Sequence, residues 1–544
     1  MSLQKKYYLL IILCCIPLFF LHLEIMPVTI MEARNFISAR EMLTDGNWIM
    51  TTMNGLPRYQ KPPLPTWLSA VAALVFGIKS EFAYRLPVSL MALFSVLSFF
   101  KLINYSTKNI RLAFIATLIL ATSLYIIAIQ REAPWDIYTH GFMLAAILYL
   151  FKLFKEDNHK TKYGFIAGVF FGLSILGKGP IAFYALLLPF LIAYGIVFKY
   201  KNIISRIIPI LLFIVTGLLI GGWWYAYVRI ADPEAFLVIA ERETENWSTY
   251  NVKPFYFYWS FFIQSGIWTI PALIGLIYPY LKNKVTDKKN YLFAVLWTAF
   301  VFLLLSVIPE KKPRYLVPIL IPLALSTAFY IDYLLTNFTF IKNKAERGLV
   351  YFSFGLIGLI GLTFGGIGYA LLKDTMTPES TFHFIVLALL LFVLGIGIFT
   401  NLKRKKLNTV FLCVVLFMIG IVGLGLPISK SFQLNTAYKN VEGLKESNEV
   451  SDKNIYHYGE IAPEILYHYG TILPDVSTVK DESQYYVLVN KNLEEKFLSE
   501  YNQPIQSITT FDLNVTAKPI ERGHKDRLTA VLYHINKKQN ENKR

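Results

Sequence analysis

The sequence predicts a polytopic α-helical membrane protein with an α/β domain at its C-terminal end. Three observations predict it. The 544-residue chain is 55% hydrophobic with a mean hydropathy of +0.46. Its apolar runs recur at nearly the ~20 residues a helical span requires. They are also continuous rather than alternating, which excludes a transmembrane barrel.

In order, the runs lie at 7–23, 83–102, 112–129, 141–153, 163–177, 181–198, 207–228, 261–281, 291–308, 315–335, 349–372, 382–400 and 410–426. That makes about 13 crossings, an odd number, which puts the termini on opposite sides. The first run lacks a small-residue cleavage site and reads as an uncleaved anchor. Residues 65–77 are too short to span and read as interfacial.

Seven basic clusters fall on alternate sides of successive runs: Lys5-Lys6, Lys101/Lys108/Arg111, 152–162, Lys199/Lys201/Arg206, 282–289, 342–347 and 403–406. They therefore share one face, which the positive-inside rule makes cytoplasmic. Much of the net charge of +17 is thus topology signal, and no nucleic-acid partner is expected. The opposite, periplasmic face carries 24–82, 130–140, 178–180, 229–260, 309–314, 373–381 and everything after about 430. This divides the chain into a membrane domain, 1–429, with a first periplasmic loop at 24–82, and a cap, 430–544.

In the cap, 435–447 and 463–469 read as helices. Stretches 454–458, 485–490, 505–509 and 530–535 read as strands by their β-branched and aromatic content. Residues 536–544 read as a disordered end.

The first long polar interruption, 31–68, reads MEARNFISAREMLTDGNWIMTTMNGLPRYQKPPLPTWL. Arg34, Ser38, Glu41 and Asp45 lie on one helical face, and Phe36, Ala39 and Leu43 on the other. A short amphipathic helix in the membrane interface, ended by Gly46, is expected.

Cations on the outer face run against the topology rule and usually have a partner there. They are Arg34, Arg58, Lys61, Lys178, Lys311, Lys312 and Arg314. Singly, each also reads as a helix-end side chain snorkelling to water. Together they suit an anionic head group held at the membrane surface. Two outer-face acids stand beside them, Glu32 and Asp136. Glu32 is either a base or an ion-pair partner of Arg34 or Arg40. Asp136 either orients a substrate or anchors the first loop through the same arginines. Glu241, Glu243 and Glu245 read as a solvated face.

Cys14, Cys15 and Cys413 lie inside apolar runs and imply neither disulfide nor metal. His22, His140, His457 and His468 have no metal-ligand spacing. There is no Asp-x-Asp motif and no phosphate-binding Gly loop.

Several motifs are shared with a known family. Glu32-Ala33-Arg34, Arg40-Glu41-Met42-Leu43, Gly46-Asn47-Trp48 and Lys61-Pro62-Pro63-Leu64 with Trp67 resemble the first periplasmic loop of the bacterial aminoarabinose (lipid A) transferases. Those enzymes are related to the protein O-mannosyltransferases and share their C-type glycosyltransferase (GT-C) fold. Lys178-Gly179-Pro180 resembles the family's Lys-Gly-Pro turn. The segment from Lys312 to Pro318 resembles its Lys-x-Pro-x-Tyr-x-x-Pro segment. Two departures stand out. Met31 replaces the family's Asp, and 229–260 lacks the Arg that the family often carries there.

The resemblance implies an inverting glycosyltransferase using a polyprenyl-phosphate sugar, such as 4-amino-4-deoxy-L-arabinose, as donor. The acceptor would be lipid A, a protein side chain or a surface glycan. No metal or further cofactor is implied, and the setting is the bacterial inner membrane, with the N-terminus cytoplasmic. Combined with the misplaced cations, it points to Arg34, Arg58, Lys61, Lys178, Lys312, Arg314 and Tyr315 as ligands of the donor phosphate, and to Glu32 and Asp136 as catalytic acids. Outside this class stand a flippase for lipid-linked sugars, which needs polar groups along a midplane path, and an inactive polyprenyl-phosphate binder.

Overall fold

A computed structural model describes residues 2–132, 134–447, 450, 454–480, 482–501 and 505–536. The membrane domain is built from α1 (Leu3–Phe19), α2 (Ile30–Thr44), α3 (Leu64–Phe76), α4 (Glu81–Thr107), α5 (Ile110–Ala121), α6 (Leu124–Glu132), α7 (Pro134–Lys155), α8 (Lys160–Lys178), α9 (Leu188–Phe198), α10 (Ile207–Ala231) and α11 (Pro233–Thr249). It continues with α12 (Thr269–Gly275), α13 (Tyr278–Leu281), α14 (Lys288–Val307), α15 (Val317–Asn337), α16 (Lys344–Leu372), α17 (Pro378–Lys403) and α18 (Leu407–Gly425).

Eight of these helices are long and apolar enough to cross a membrane: α4, α7, α10 and α14 to α18. A ninth span forms if α5 and α6, bent by 51° to each other, are taken as one. The other four expected crossings fall short of that standard. The first is α1, with 17 residues. The second is α8, which has lysines at both ends. The run 181–198 is a five-residue π turn, Phe183–Leu187, leading into α9. The run 261–281 breaks at Gly266 (φ 67°) into 3-10 turns and the short α12 and α13.

Burial sorts the spans. The most enclosed are α7 and α15, while α10, α16 and α17 present most of their surface outward. The contact between α8 and α10 is glycine-lined. A Cβ on Gly164 would lie 2.3 Å from the Pro209 carbonyl oxygen, and one on Gly168 2.7 Å from that of Phe213. Small residues four apart let the two backbones approach this closely, and the packing fixes where α8 delivers Lys178.

Helix α2 starts in a capping box: the Thr29 side chain accepts from the Glu32 N–H while the Glu32 carboxylate accepts from the Thr29 N–H. It ends at Asp45 before Gly46, whose φ is +77°. Its expected position in the interface is corrected. Most of α2 is buried, pressed between α3 on one side and the cap on the other. Glu41, placed on the polar face, instead receives Thr52 Oγ1 (2.5 Å) and the Asn54 N–H (2.6 Å) of a small hairpin, β1 (Thr52–Met53) and β2 (Leu56–Pro57).

The cap is a four-stranded sheet, β3 (Ile455–Tyr458), β4 (Gln484–Asn490), β5 (Ile505–Asp512) and β6 (Thr529–Asn536), in the order β3-β4-β6-β5. The β3–β4 pair is parallel and the others antiparallel. Alternate side chains supply two cores. Leu488 and Leu532 face α19 (Pro463–Tyr469), whereas Val487 and Val531 face Phe497 of α20 (Glu494–Glu500). The expected helix at 435–447 is corrected to turns and one 3-10 turn, Leu444–Glu446. Residues 537–544, expected to be disordered, lie outside the described residues.

The cap docks on α2. Arg40 donates to the carbonyls of Tyr467 (2.9 Å) and Leu466 (3.3 Å), and Asn54 exchanges two 2.8 Å hydrogen bonds with the backbone of Leu473. Ile37 is buried in the core beneath the sheet.

Candidate active site

Four of the expected cations, Arg34, Arg58, Lys178 and Arg314, come together. Around one ring, Arg58 lies over the indole of Trp135 at 5.4 Å, and Trp135 precedes Asp136. Asp136 is ion-paired to Lys178, Lys178 stands 5.4 Å over the Tyr315 ring, and Arg314 stacks on the same ring at 5.8 Å. Arg34 closes the circuit, near enough to Arg314 and to Arg58 for each charge to be felt. Asp136 is in the first turn of α7 and Tyr315 just precedes α15, so the ring sits at the N-terminal ends of the two most enclosed spans. Helix N-termini favour anions. Gly179 (φ +91°) ends α8 directly after Lys178 and turns the chain away.

The cations differ in what already satisfies them. Lys61 pairs with Glu243 (2.9 Å), Lys312 with Glu310 (2.5 Å) and Lys178 with Asp136. Lys311 is turned inward onto the carbonyls of Ile308 (2.5 Å) and Lys253 (3.1 Å), away from the ring. Tyr315 donates to Glu310 (3.1 Å). Arg34, Arg58 and Arg314 have no carboxylate partner within 4 Å among the described residues. Among the described residues the one side-chain hydrogen bond of Arg58 is a long one to Ser38 Oγ (3.4 Å), and Arg314 Nε is buried without an acceptor. Burial, with Arg34 adding to it, pushes the Arg58 guanidinium down to about 9, and burial also lowers Arg34. A buried cation without a counter-charge is costly. Of the three, Arg58 is buried while Arg34 and Arg314 are half-buried, and guanidinia so placed can take an anion bidentately where the fork allows.

Residues 60–225 match the family described as dolichyl-phosphate-mannose-protein mannosyltransferase. Proteins named undecaprenyl phosphate-alpha-4-amino-4-deoxy-L-arabinose arabinosyl transferase, from Serratia proteamaculans and Yersinia pestis, are each 26% identical. The matches cover 62% and 66% of this chain and 61% and 66% of those proteins. The crystal structure of ArnT from Cupriavidus metallidurans bound to undecaprenyl phosphate aligns with a TM-score of 0.69 at 16% identity, over 97% of this chain and 98% of that one. The chain is thus similar in sequence to the aminoarabinose transferases, and it has the GT-C fold. Its match spans less than two thirds of the length of those curated relatives.

On this ArnT-like frame the two expected acids stand differently. Glu32 does not face the ring. Both of its oxygens are taken by Arg85, at 2.7 Å from Nε and 3.1 Å from Nη2, and both side chains are buried. This is the geometry of an ion-pair partner, the second of the two readings the sequence leaves open for Glu32. Its partner is neither Arg34 nor Arg40, since Arg40 is committed to the cap. Asp136 is in the ring, yet its anchor is Lys178 rather than an arginine of the first loop. One oxygen, Oδ2, is left buried and without a partner among the described residues. Glu243 leaves the expected solvated face to meet Lys61, while Glu241 and Glu245 stay exposed.

Sequence reasoning missed Arg85, Trp135, Ser38 and Glu310. Arg85 sits inside a stretch that reads as apolar, and a charge there was itself a signal. Asn54-Gly55, at φ +56° and +74°, is a strong hairpin signal. Trp135, Ser38 and Glu310 carried no such signal.

Proposed function

We propose that this protein is an inverting glycosyltransferase, moving a sugar from a polyprenyl-phosphate carrier to an acceptor on the periplasmic side of the bacterial inner membrane. The observation that carries the reading is the convergence of Arg34, Arg58 and Arg314, without carboxylate partners, at the N-terminal ends of the two central spans. Helix direction supports the orientation. The helices that meet the ring have their basic clusters at the opposite end, where Arg206 pairs with Asp157 and Arg111 with Asp332. The N-terminus is then cytoplasmic and the cap periplasmic.

In the reaction, an acceptor oxygen forms a bond to the anomeric carbon as the bond from that carbon to the phosphate oxygen breaks. The electron pair goes to the phosphate, which changes from a monoanionic diester to a dianion. The guanidinia and Lys178 stabilise that added charge more than the starting one, which is how binding energy becomes rate. An acceptor that is itself a phosphate, such as that of lipid A, needs no base, and this suits a site whose Glu32 is locked away. Asp136 Oδ2 then orients a hydroxyl of the sugar. The donor sugar is 4-amino-4-deoxy-L-arabinose, as in the relatives' names, and no cofactor beyond the donor is required.

The test is binding of undecaprenyl phosphate to the protein in nanodiscs, followed by turnover of the aminoarabinose-loaded carrier. Arg34→Gln, Arg58→Gln and Arg314→Gln each lower carrier affinity about 10- to 100-fold, the worth of a charge-assisted hydrogen bond. Wild-type affinity in all three variants removes the site.

A further inference from the structure

Four tryptophans are fully buried: Trp135, Trp224, Trp268 and Trp297. Three of them donate their indole N–H inside the protein, Trp224 to the Ile49 carbonyl (2.8 Å), Trp268 to Thr122 Oγ1 (2.8 Å) and Trp297 to the Leu186 carbonyl (3.2 Å). A buried indole N–H normally finds such a partner. Trp135 is the exception, for its Nε1 is buried and meets no acceptor among the described residues.

Its position gives the exception a meaning. Trp135 lies in the cationic ring between Arg58, which covers one face of the indole, and Asp136, whose Oδ2 is also without a partner. Arg314 Nε, a third polar atom without a partner, is on the far side of the same ring. Three residues of the ring thus each carry one polar atom, two donors and an acceptor in all, without a partner among the described residues. A ligand bearing both oxyanion and hydroxyl groups would satisfy them together. A water alone would leave the charge of Arg58 unmatched.

We infer that Trp135 is a substrate-binding residue, its indole N–H donating to an oxygen of the carrier-linked sugar phosphate while its ring supports the guanidinium of Arg58. The inference rests on the proposed function and adds a neutral donor to a site otherwise read from charge. The oxygen is either a phosphoryl oxygen or a sugar hydroxyl, and the two sources give different results.

Trp135→Phe keeps an aromatic face for Arg58 and deletes the donor. Replacement of Trp135 by 3-benzothienylalanine keeps the bicyclic shape and serves if the Phe variant does not fold. Undecaprenyl phosphate affinity, and kcat and KM for the aminoarabinose-loaded carrier, are measured in nanodiscs. A phosphoryl contact lowers affinity for the bare carrier about 10- to 100-fold. A sugar contact leaves that affinity intact and lowers kcat/KM for the loaded carrier by a similar factor. Either result supports the inference. If both quantities stay within about twofold of wild type, the N–H has no substrate partner and the inference is overturned. If wild type itself binds no undecaprenyl phosphate, the proposed function falls and takes this inference with it.

Discussion

Glu32→Gln separates a structural acid from a catalytic one. The carboxylate grips Arg85 with both oxygens, at 2.7 and 3.1 Å, in a buried setting. Removing one partner of such a pair costs about 3–5 kcal/mol. Arg85 keeps Glu81 at 3.0 Å and the Leu23 carbonyl at 2.5 Å, which argues for the lower end. The amide oxygen of Gln can still cap the Thr29 N–H, so the helix start adds little further loss. The expected effect is ~3 kcal/mol, roughly a 100-fold fall in the ratio of folded to unfolded protein. The measurements are the half-life of the detergent-solubilised protein on heating and the turnover of the fraction that remains folded. Joint replacement, Glu32→Leu with Arg85→Met, should regain much of the loss, because apolar groups of similar size often replace buried pairs at little cost. A Glu32→Gln protein with wild-type thermal half-life and no turnover would refute this account and restore Glu32 as a base.

Three other expectations concern the cap, the helix packing and pH. Arg40→Gln together with Asn54→Ala removes the hydrogen bonds by which α2 and the β1–β2 hairpin hold the cap at Leu466, Tyr467 and Leu473. Limited proteolysis should then cut the 430–454 region faster, and carrier affinity should fall because α2 also carries Arg34; unchanged cleavage would show the apolar contact of Ile37 to be sufficient. Gly168→Ala forces a Cβ to within 2.7 Å of a backbone oxygen and should cost about 1–3 kcal/mol. Gly222→Ala, on α10 with nothing within 4 Å, should be neutral or slightly stabilising, and equal thermal half-lives for the two would contradict the packing.

The pH expectation follows from Arg58, which burial holds near 9 in the fold, well below the value of an exposed guanidinium. Its folded pKa is lowered, so between those values the unfolded chain binds the extra proton, and ligand-free stability rises with pH across that window. An anion reverses the depression. Carrier binding should therefore take up a proton above about pH 9, visible in calorimetry as a heat that changes with the buffer's ionisation enthalpy. A heat independent of buffer at pH 9.5 would mean that the bound anion does not reach Arg58.

Length and hydropathy were enough to specify a bundle of spans, because a bilayer demands internally bonded helices and little else. The cap's four strands were legible from their β-branched and aromatic runs. The cations Arg34, Arg58, Lys178 and Arg314 could be singled out because they fall outside the seven basic clusters that set the expected topology. The count of spans was less legible. A run of apolar residues does not disclose that Gly266 will break it, or that α8 is held by glycines rather than by its length.

The site separated along the same line. Which groups carry charge is written in the chain; which charges are spent on one another depends on distances between segments far apart in it. Glu32 and Arg85 are 53 residues apart and Asp136 and Lys178 are 42 apart, and only the packing of α2 on α4 and of α7 on α8 joins them. Tertiary structure alone thus decided that Glu32 is paired with Arg85 and that Arg34, Arg58 and Arg314 meet no carboxylate among the described residues. It also left one buried indole N–H, that of Trp135, without an acceptor among the described residues, since a hydrogen bond is a matter of ångströms and no spacing along the sequence encodes it.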